Sequence, residues 1–521
     1  MTLYEMLARS AAARPDQLAL VSGERTVGYG ELLGAVEGFA GGLAALGVGK
    51  RPSVGLLLPN CPEFVTAYVG ASCVGTVVPV NVLYRPDEAR HVLHDSEAEV
   101  LVTAEPFRPL VQAIRPHLPN LRHVVMLSAS GPQDGEVDFR AMCSAAPGDL
   151  LPSSDDDVAV ILYTSGTTGR PKGAMLTHAN LEANAVSCSQ ALPVGPEDCF
   201  LSALPLFHSF AAMVFMVVPL MVGARIRLME RFMPSSTLAL MEQSEATLFG
   251  GVPSMFVLML QVPKTERPRL HKLRIAVSGG APLSPEVWKA FEKTFHAKMV
   301  EGYGLTEASP VVAVNPPFGL HKHGSVGLPI PGVEVKVVGT EGREVRAGEV
   351  GELAVRGGNV MKGYLNRPQD TREVLRDGWL YTGDLARLDE DGYLYIAGRK
   401  KELIIVGGLN VYPGEVERVL VEHPAVLEAA AFGVDDPARG EAVWAAVVLC
   451  PDHSASDRDL RAFCREKLAT YKVPRGVEIR SELPKNALGK VMRHVLREEV
   501  TSQAAECAGS GAKVTESASR A

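Results

Sequence analysis

YTSGTTGRPKG, residues 163–173, crowds four hydroxyl residues, three glycines and one lysine into eleven positions. Gly166, Gly169 and Gly173 permit backbone geometries closed to other residues and let amide N–H groups approach a ligand. Thr164, Ser165, Thr167 and Thr168 add hydroxyl donors, and Lys172 adds a long cationic arm with no counter-charge within the stretch. A solvated turn is also rich in Gly, Ser and Thr, but a connector needs far less donor density than this. The stretch reads as a phosphate loop, with ATP as its guest. It is not a Walker A loop, in which a hydroxyl residue follows the lysine, because Gly173 and Ala174 stand there.

The residues before the loop, 158–163, are an apolar strand, and working outward the same texture recurs. Strands are predicted over 54–58, 76–80, 100–103, 247–250 and 274–278, with amphipathic helices such as 62–73 and 285–295 between them. Such alternation indicates layered α/β structure with mostly parallel sheets, whose ligands sit in loops at strand ends. From 332 to 397 short strands and turns predominate, including a hairpin turn at 389–392. A smaller unit follows over 399–500, with strands at 403–406 and 443–449 and helices at 414–422 and 457–468. The expected organisation is a large N-terminal domain over 1–398, this small α+β domain, and a structureless tail over 501–521 whose Ala, Ser, Gly and Glu show no apolar period.

At 521 residues the chain exceeds one ordinary core. Acidic residues outnumber basic ones by 60 to 52, for a formal charge of −8, which argues against a nucleic-acid partner. The eight cysteines form no CxxC pair and read as reduced cytoplasmic thiols. The most apolar run, 210–224, is fifteen residues long and contains Pro219 and Gly223. It is short for a membrane span and suits a buried helix or an apolar pocket wall, compatible with no more than a peripheral membrane contact.

Beyond the phosphate loop, EGYGLTE at 301–307, SGGAPLS at 278–284, YTGD at 381–384, GRKKELI at 398–404, GGLNVYPGEVE at 407–417 and PKNALGK at 484–490 mark the chain to about residue 495. Together, and in their order along the sequence, these motifs resemble those of the adenylate-forming superfamily of acyl-CoA synthetases, peptide-synthetase adenylation domains and luciferases. The resemblance implies an ATP site that includes the phosphate loop, Gly280, Ala281 and Pro282 on the adenine side, and the segment Glu301, Gly302, Tyr303 and Gly304, with Tyr303 stacking on adenine. It implies that Thr306 bonds the α-phosphate and that Glu307, with Thr164, holds Mg2+. A hard cation on polyphosphate usually takes only one or two protein ligands. Asp384 and Arg399 are implied to bind the ribose. Lys490 is implied to bridge the acyl carboxylate and the α-phosphate, where a fixed cation relieves crowded negative oxygens.

In LPLFHSFAAMVF, 204–215, His208 matches the residue that flanks the acyl carboxylate, although a lone histidine beside an apolar run is commonly a core residue. Gly250, Gly251, Gly279, Gly302 and Gly304 match acyl-facing segments and are expected to leave room for a long unbranched chain, lined by Met213, Phe215, Met216, Val311 and Val312. Gly407 and Gly408 match the loop that faces the pantetheine tunnel of CoA, and Lys401 the hinge about which the small domain turns. The expected function is an ATP- and Mg2+-dependent acid–CoA ligase acting on a medium- to long-chain fatty acid through acyl-AMP, as a cytoplasmic monomer or homodimer. The alternatives are an aryl- or dicarboxylic-acid–CoA ligase and a free-standing adenylation enzyme that loads a carrier protein.

Overall fold

The computed structural model describes residues 1–145, 153–164, 171–436, 439–485 and 491–512, with 503–512 given by their backbone alone. The chain divides into two compact units: Met1–Lys336 with Ala354–Thr382 and Leu388–Tyr395, and Val337–Leu353 with Gly383–Arg387 and Ile396–Ala521.

The first unit is built on two sheets. One orders its strands Leu328–Pro329, Val311–Val314, Lys298–Gly304, Ile275–Ser278, Leu248–Gly251, Cys199–Ser202, Arg225–Leu228, Leu18–Ser22 and Arg25–Gly28. The other runs Gly363–Tyr364, Lys172–Thr177, Val158–Thr164, Thr76–Pro79, Ser53–Leu57, Val100–Ala104, His123–Leu127 and Glu136–Asp138. Both are parallel in the middle and antiparallel at an edge. The central strands are buried almost residue for residue, Val100–Ala104 throughout, as parallel strands covered on both faces must be.

Along the sheet that contains Leu248–Gly251, Ile275–Ser278 and Lys298–Gly304, the pleat sorts residues by face. Phe249, Ala276 and Met299 join a core with Trp288 and Phe291 of the helix Pro285–Phe295. Gly250, Val277 and Val300 alternate with them and therefore face the opposite side. The apolar run at 210–224 is helical, as the sequence suggests: Ser209–Ala212, a wider π-helical turn at Met213–Val217, and Val218–Val222. The wide turn lies directly before Pro219, which has no N–H to offer and whose ring crowds the carbonyl four residues back. Gly223 ends the helix at φ 77°, where a β-carbon would be strained. Among the described residues no helix is long and apolar enough to cross a membrane.

In the second unit, Gly440–Leu449 pairs with Val426–Asp436, Ile404–Val406 and Gly476–Arg480, and Leu409–Val411 adds to Ile404–Val406. Val443, Ala445 and Val447 pack one face under the helices Pro413–Val421 and Asp457–Lys467. Ala430, Phe432 and Ala446 pack the other face against Leu496 and Val500. Those two residues, one turn apart, belong to the helix Arg493–Ala512. The segment 501–521 is thus helical through Ala512 rather than structureless from its start. The anchoring period lies just upstream of the tail, and the helix propagates from it. The strands of the β-rich segment, Val333–Val338, Gly351–Gly357, Trp379–Leu388 and Leu394–Arg399, each cross from residues of one unit to residues of the other.

Candidate nucleotide and acyl site

Thr164 lies opposite Lys172, and Tyr163 opposite Gly173, in an antiparallel pair of strands. Lys172 therefore opens a strand and not a helix, which separates this loop from the Walker A arrangement structurally as well as by pattern. Ser165, Gly166, Thr167 and Thr168 lie outside the described residues. The Thr164 hydroxyl donates to the Lys172 carbonyl at 3.4 Å. The Lys172 Nζ is 2.6 Å from Asp370 and lies 5.5 Å from the centroid of the Tyr364 ring.

Glu307 sits in the short turn Thr306–Ala308. Its Oε1 accepts from the Tyr364 hydroxyl at 2.8 Å, and its carbonyl accepts from the Met361 N–H at 2.9 Å. Gly304 is required where it stands, since a β-carbon would meet the Pro310 carbonyl. Thr306 Oγ1 is 3.3 Å from Ser209 Oγ, so the turn is brought to the start of the 209–222 helix. Among the described residues no three or more His, Cys, Asp or Glu gather to hold a metal. A single half-buried carboxylate with a hydroxyl such as Thr164 instead fits Mg2+ that arrives on a polyphosphate.

In the segment expected on the adenine side, Gly280 takes φ +82° and leads the turn through Ala281 and Pro282. The Leu283 N–H that follows donates to Glu301 Oε1 at 3.0 Å. Glu301 is buried, and burial pushes its carboxyl up to about 8. It is protonated at neutral pH, so it shapes the Gly280–Leu283 turn as a neutral hydrogen-bonding group rather than meeting a nucleotide as an anion. Tyr303, two residues along, is partly exposed at the strand end.

His208 immediately precedes the 209–222 helix. Burial pushes its imidazole down to about 4, and its Nε2 is buried without a hydrogen-bond partner. A neutral ring with an unpaired nitrogen is suited to one hydrogen bond with a ligand and carries no charge to pair with a carboxylate.

The glycines expected to open an acyl tunnel do something else. A β-carbon on Gly250 would collide with the Phe215 ring, one on Gly251 would come within 3.2 Å of Phe256, and one on Gly279 within 3.4 Å of Phe210. One on Gly302 would stand 3.3 Å from the Ala313 carbonyl. The space left by Gly250, Gly251 and Gly302 is taken by the protein's own rings and backbone, whereas at Gly279 a β-carbon would make ordinary contact with Phe210. Phe210 meets Phe215 edge-on at 5.9 Å, and Phe215 meets Phe200 at 6.0 Å. Met213, Phe215, Met216 and Val312 are buried and Val311 half-buried, as an apolar wall requires.

The remaining residues lie in the second unit. The Arg399 Nε is 2.7 Å from buried Asp384. Lys401 is exposed within the turn Lys400–Glu402. Gly407 and Gly408, at φ +57° and +82°, form a two-residue hairpin loop between Val406 and Leu409, with open space where their β-carbons would be. A loop with positive φ at both positions demands such residues by itself. Lys490 lies outside the described residues. Lys485 and Val491, on either side of the 486–490 segment, pair with each other, and Arg493 binds Glu417 at 2.8 Å and Glu402 at 3.0 Å.

Sequence reasoning missed Tyr364, Asp370 and Arg493. GYLNRPQD at 363–370 and RHVLR at 493–497 carry no spacing that marks them. Their partners are remote in sequence, so only the fold joins them.

A family model described as AMP-binding enzyme matches residues 7–365, and one described as AMP-binding enzyme C-terminal domain matches residues 415–490. A long-chain-fatty-acid–CoA ligase of Bacillus subtilis (strain 168) is 38% identical over 531 residues, covering 96% of this chain and 95% of the relative. A feruloyl-CoA synthase of an Amycolatopsis species is 38% identical over 496 residues, covering 94% and 97%. Among solved structures, the o-succinylbenzoate CoA synthetase of Bacillus subtilis in complex with ATP and magnesium ion aligns with a TM-score of 0.83 at 32% identity, covering 94% of this chain and 98% of its own.

The buried Glu301 makes a prediction independent of any ligand. Its native pKa of about 8 lies above the ordinary value of 4.5, so between these the native state holds a proton that the unfolded state has lost. Stability from this group is complete below about pH 4.5 and declines as pH rises toward 8, each tenfold difference in proton affinity between the two states being worth about 1.4 kcal/mol. Urea unfolding at pH 5 and pH 8 measures the decline. In Glu301→Gln, which keeps an acceptor for Leu283, the decline between these two values should shrink by about 1 kcal/mol or more. An equal decline in both proteins would show that Glu301 does not hold the proton.

Proposed function

Because the chain belongs to the AMP-binding enzyme family and is an AMP-forming acid–CoA ligase, we propose that its acid is a medium- to long-chain fatty acid, activated with ATP and Mg2+ and then transferred to CoA. One observation carries the choice of acid. From Ser209 to Val222, directly after the unpaired His208 nitrogen, the helix presents no charged side chain, and the residues Ala211 to Val218 are buried. An acid whose carboxylate met His208 would lay its remaining carbons along an apolar wall. Relatives whose names specify a long-chain fatty acid match at 35% to 38% identity over almost the whole chain. A second reading, an aryl acid, is favoured by the rings of Phe210 and Phe215 over Gly279 and Gly250, because an edge-on pair also suits a planar guest.

In the first half-reaction an acid carboxylate oxygen attacks the α-phosphorus of ATP, and pyrophosphate leaves. Lys172, Thr164 and the hydroxyls of the phosphate loop hold the β- and γ-phosphates, and Thr306 bonds the α-phosphate. Glu307 and Thr164 are the residues that would hold Mg2+, which supplies charge neutralisation for the leaving pyrophosphate. His208 orients the carboxylate through its neutral ring, Tyr303 packs on adenine, and Asp384 with Arg399 binds the ribose diol. Lys490 places its charge between carboxylate and α-phosphate. In the second half-reaction the CoA sulfur attacks the acyl carbonyl and AMP departs. Lys490 has no role there, so a turn of the small domain about Lys401 exchanges it for the Gly407–Gly408 loop. The cytoplasm supplies ATP and CoA and keeps thiols reduced, and every described cysteine is free.

Four measurements test this reading. Specificity constants for saturated acids of two to eighteen carbons, beside benzoate and a cinnamate-type acid, should rise steeply with length. At about 0.8 kcal/mol per methylene, six more methylenes than acetate give roughly 5 kcal/mol, a factor of several thousand. An aryl acid ahead of every fatty acid by tenfold would select the second reading. Phe215→Ala should move the optimum to longer chains. Lys490→Ala should slow acyl-AMP formation by about 100- to 1000-fold and leave thioester formation from supplied acyl-AMP largely intact; equal loss in both would refute the division of labour. Gly408→Asn suits the left-handed backbone and adds bulk, so it should preserve pyrophosphate exchange while slowing CoA transfer.

A further inference from the structure

The phosphate side of the first unit holds two groups of opposite charge, Lys172 and Glu307, and each is held by a different partner. Lys172 pairs with Asp370 at 2.6 Å, and Glu307 accepts from the Tyr364 hydroxyl at 2.8 Å. The Tyr364 ring also faces the lysine, with Nζ at 5.5 Å from its centroid. Tyr364 cannot swing away easily. Gly363–Tyr364 pairs with Met175 and Ala174, next to Lys172 in the chain, and the Tyr364 N–H donates to Thr371 Oγ1 at 2.9 Å. Asp370 comes from the same short segment, in the first turn of the helix Pro368–Val374.

We propose that Tyr364 is a positioning residue that presents the Glu307 carboxylate to magnesium, and that Asp370 holds Lys172 until the triphosphate takes the lysine over. The proposal rests on the reading of this site as one for ATP and Mg2+. A long lysine arm and a half-buried carboxylate at one site attract each other, and a pair formed between them would have to be broken before a metal and a phosphate could bind. Tyr364 opposes that collapse in two ways: its hydroxyl fixes one carboxylate oxygen, and its ring gives the ammonium group an alternative neighbour. The second oxygen of Glu307 is left for the cation. Groups that orient a metal ligand in this manner typically change metal affinity by about 10- to 100-fold when removed. Asp370 satisfies the lysine without touching Glu307, and a triphosphate, with more charge and more oxygens, displaces it.

The test is ATP binding by calorimetry on the full chain, without acid or CoA, over a series of Mg2+ concentrations. Tyr364→Phe keeps the ring and removes only the hydroxyl. The Mg2+ concentration for half-maximal ATP binding should rise about tenfold or more, with the unfolding temperature and the metal-free ATP affinity unchanged. In Glu307→Gln the same Tyr364→Phe change should have little further effect, because the carboxylate it positions is gone. Asp370→Asn should tighten metal-free ATP binding several-fold, since the lysine is released. An unaltered Mg2+ titration in Tyr364→Phe would overturn the positioning role, and weaker metal-free binding in Asp370→Asn would overturn the holding role. A wild-type chain that binds no ATP at any Mg2+ concentration would overturn the site reading itself, and the proposal with it.

Discussion

Three backbone hydrogen bonds determine where the charges of Lys172 and Glu307 stand. The Met361 N–H donates to the Glu307 carbonyl, the Lys362 N–H to Met175 and the Leu365 N–H to Gly173. Residues 361–365 thereby tie the strand that begins at Lys172 to the turn that carries Glu307. Each such bond contributes only about 1 kcal/mol net, yet leaving a buried partner unsatisfied costs more. The arrangement therefore resists gradual deformation. Neither Lys172 nor Glu307 positions the other; a third segment positions both. Side chains on that segment and the helix that follows it, Tyr364 and Asp370, are consequently the ones that touch them.

Much of this architecture was legible in advance. Val158–Thr164, Pro62–Val74 and Pro285–Phe295 announce themselves by period and by flanking proline, and helices and strands form close to the expected residues. Local patterns report local structure. The site was legible only as far as its residues sit in dense motifs. Gly408 shows the limit from one side, because the hairpin loop explains its glycine without reference to CoA. Glu301 shows it from another: sequence places it in the nucleotide segment, while its burial makes it a neutral support for the Leu283 turn. Burial is a property of the whole fold and has no signature in seven letters.

The glycines expected on the acyl side depart furthest from expectation. A glycine in a sheet marks a close approach, but it does not say by what. Here Phe215 approaches Gly250. Removing a side chain from the sheet and adding a ring on the facing helix conserves volume, so the two choices are one packing decision distributed over distant positions. The sheet floor at Gly250 is thus closed by an aromatic edge of the 209–222 helix.

In the second unit the same principle acts through charge. Glu402 adjoins Lys401, the proposed hinge, and Arg493 follows the 486–490 segment that carries Lys490. Arg493 joins Glu402 to Glu417 on the helix Pro413–Val421, and the Lys485–Val491 pairing closes the segment at its base. These side chains keep some exposure, so each pair alone contributes modestly, and it is the network of Arg493 with two glutamates that holds the geometry. The base of the lysine segment is therefore fastened to the residue beside the hinge and to the core of its own unit. If the unit turns at Lys401, the residues that flank the segment, Lys485, Val491 and Arg493, travel with Glu402 and Glu417 as one body.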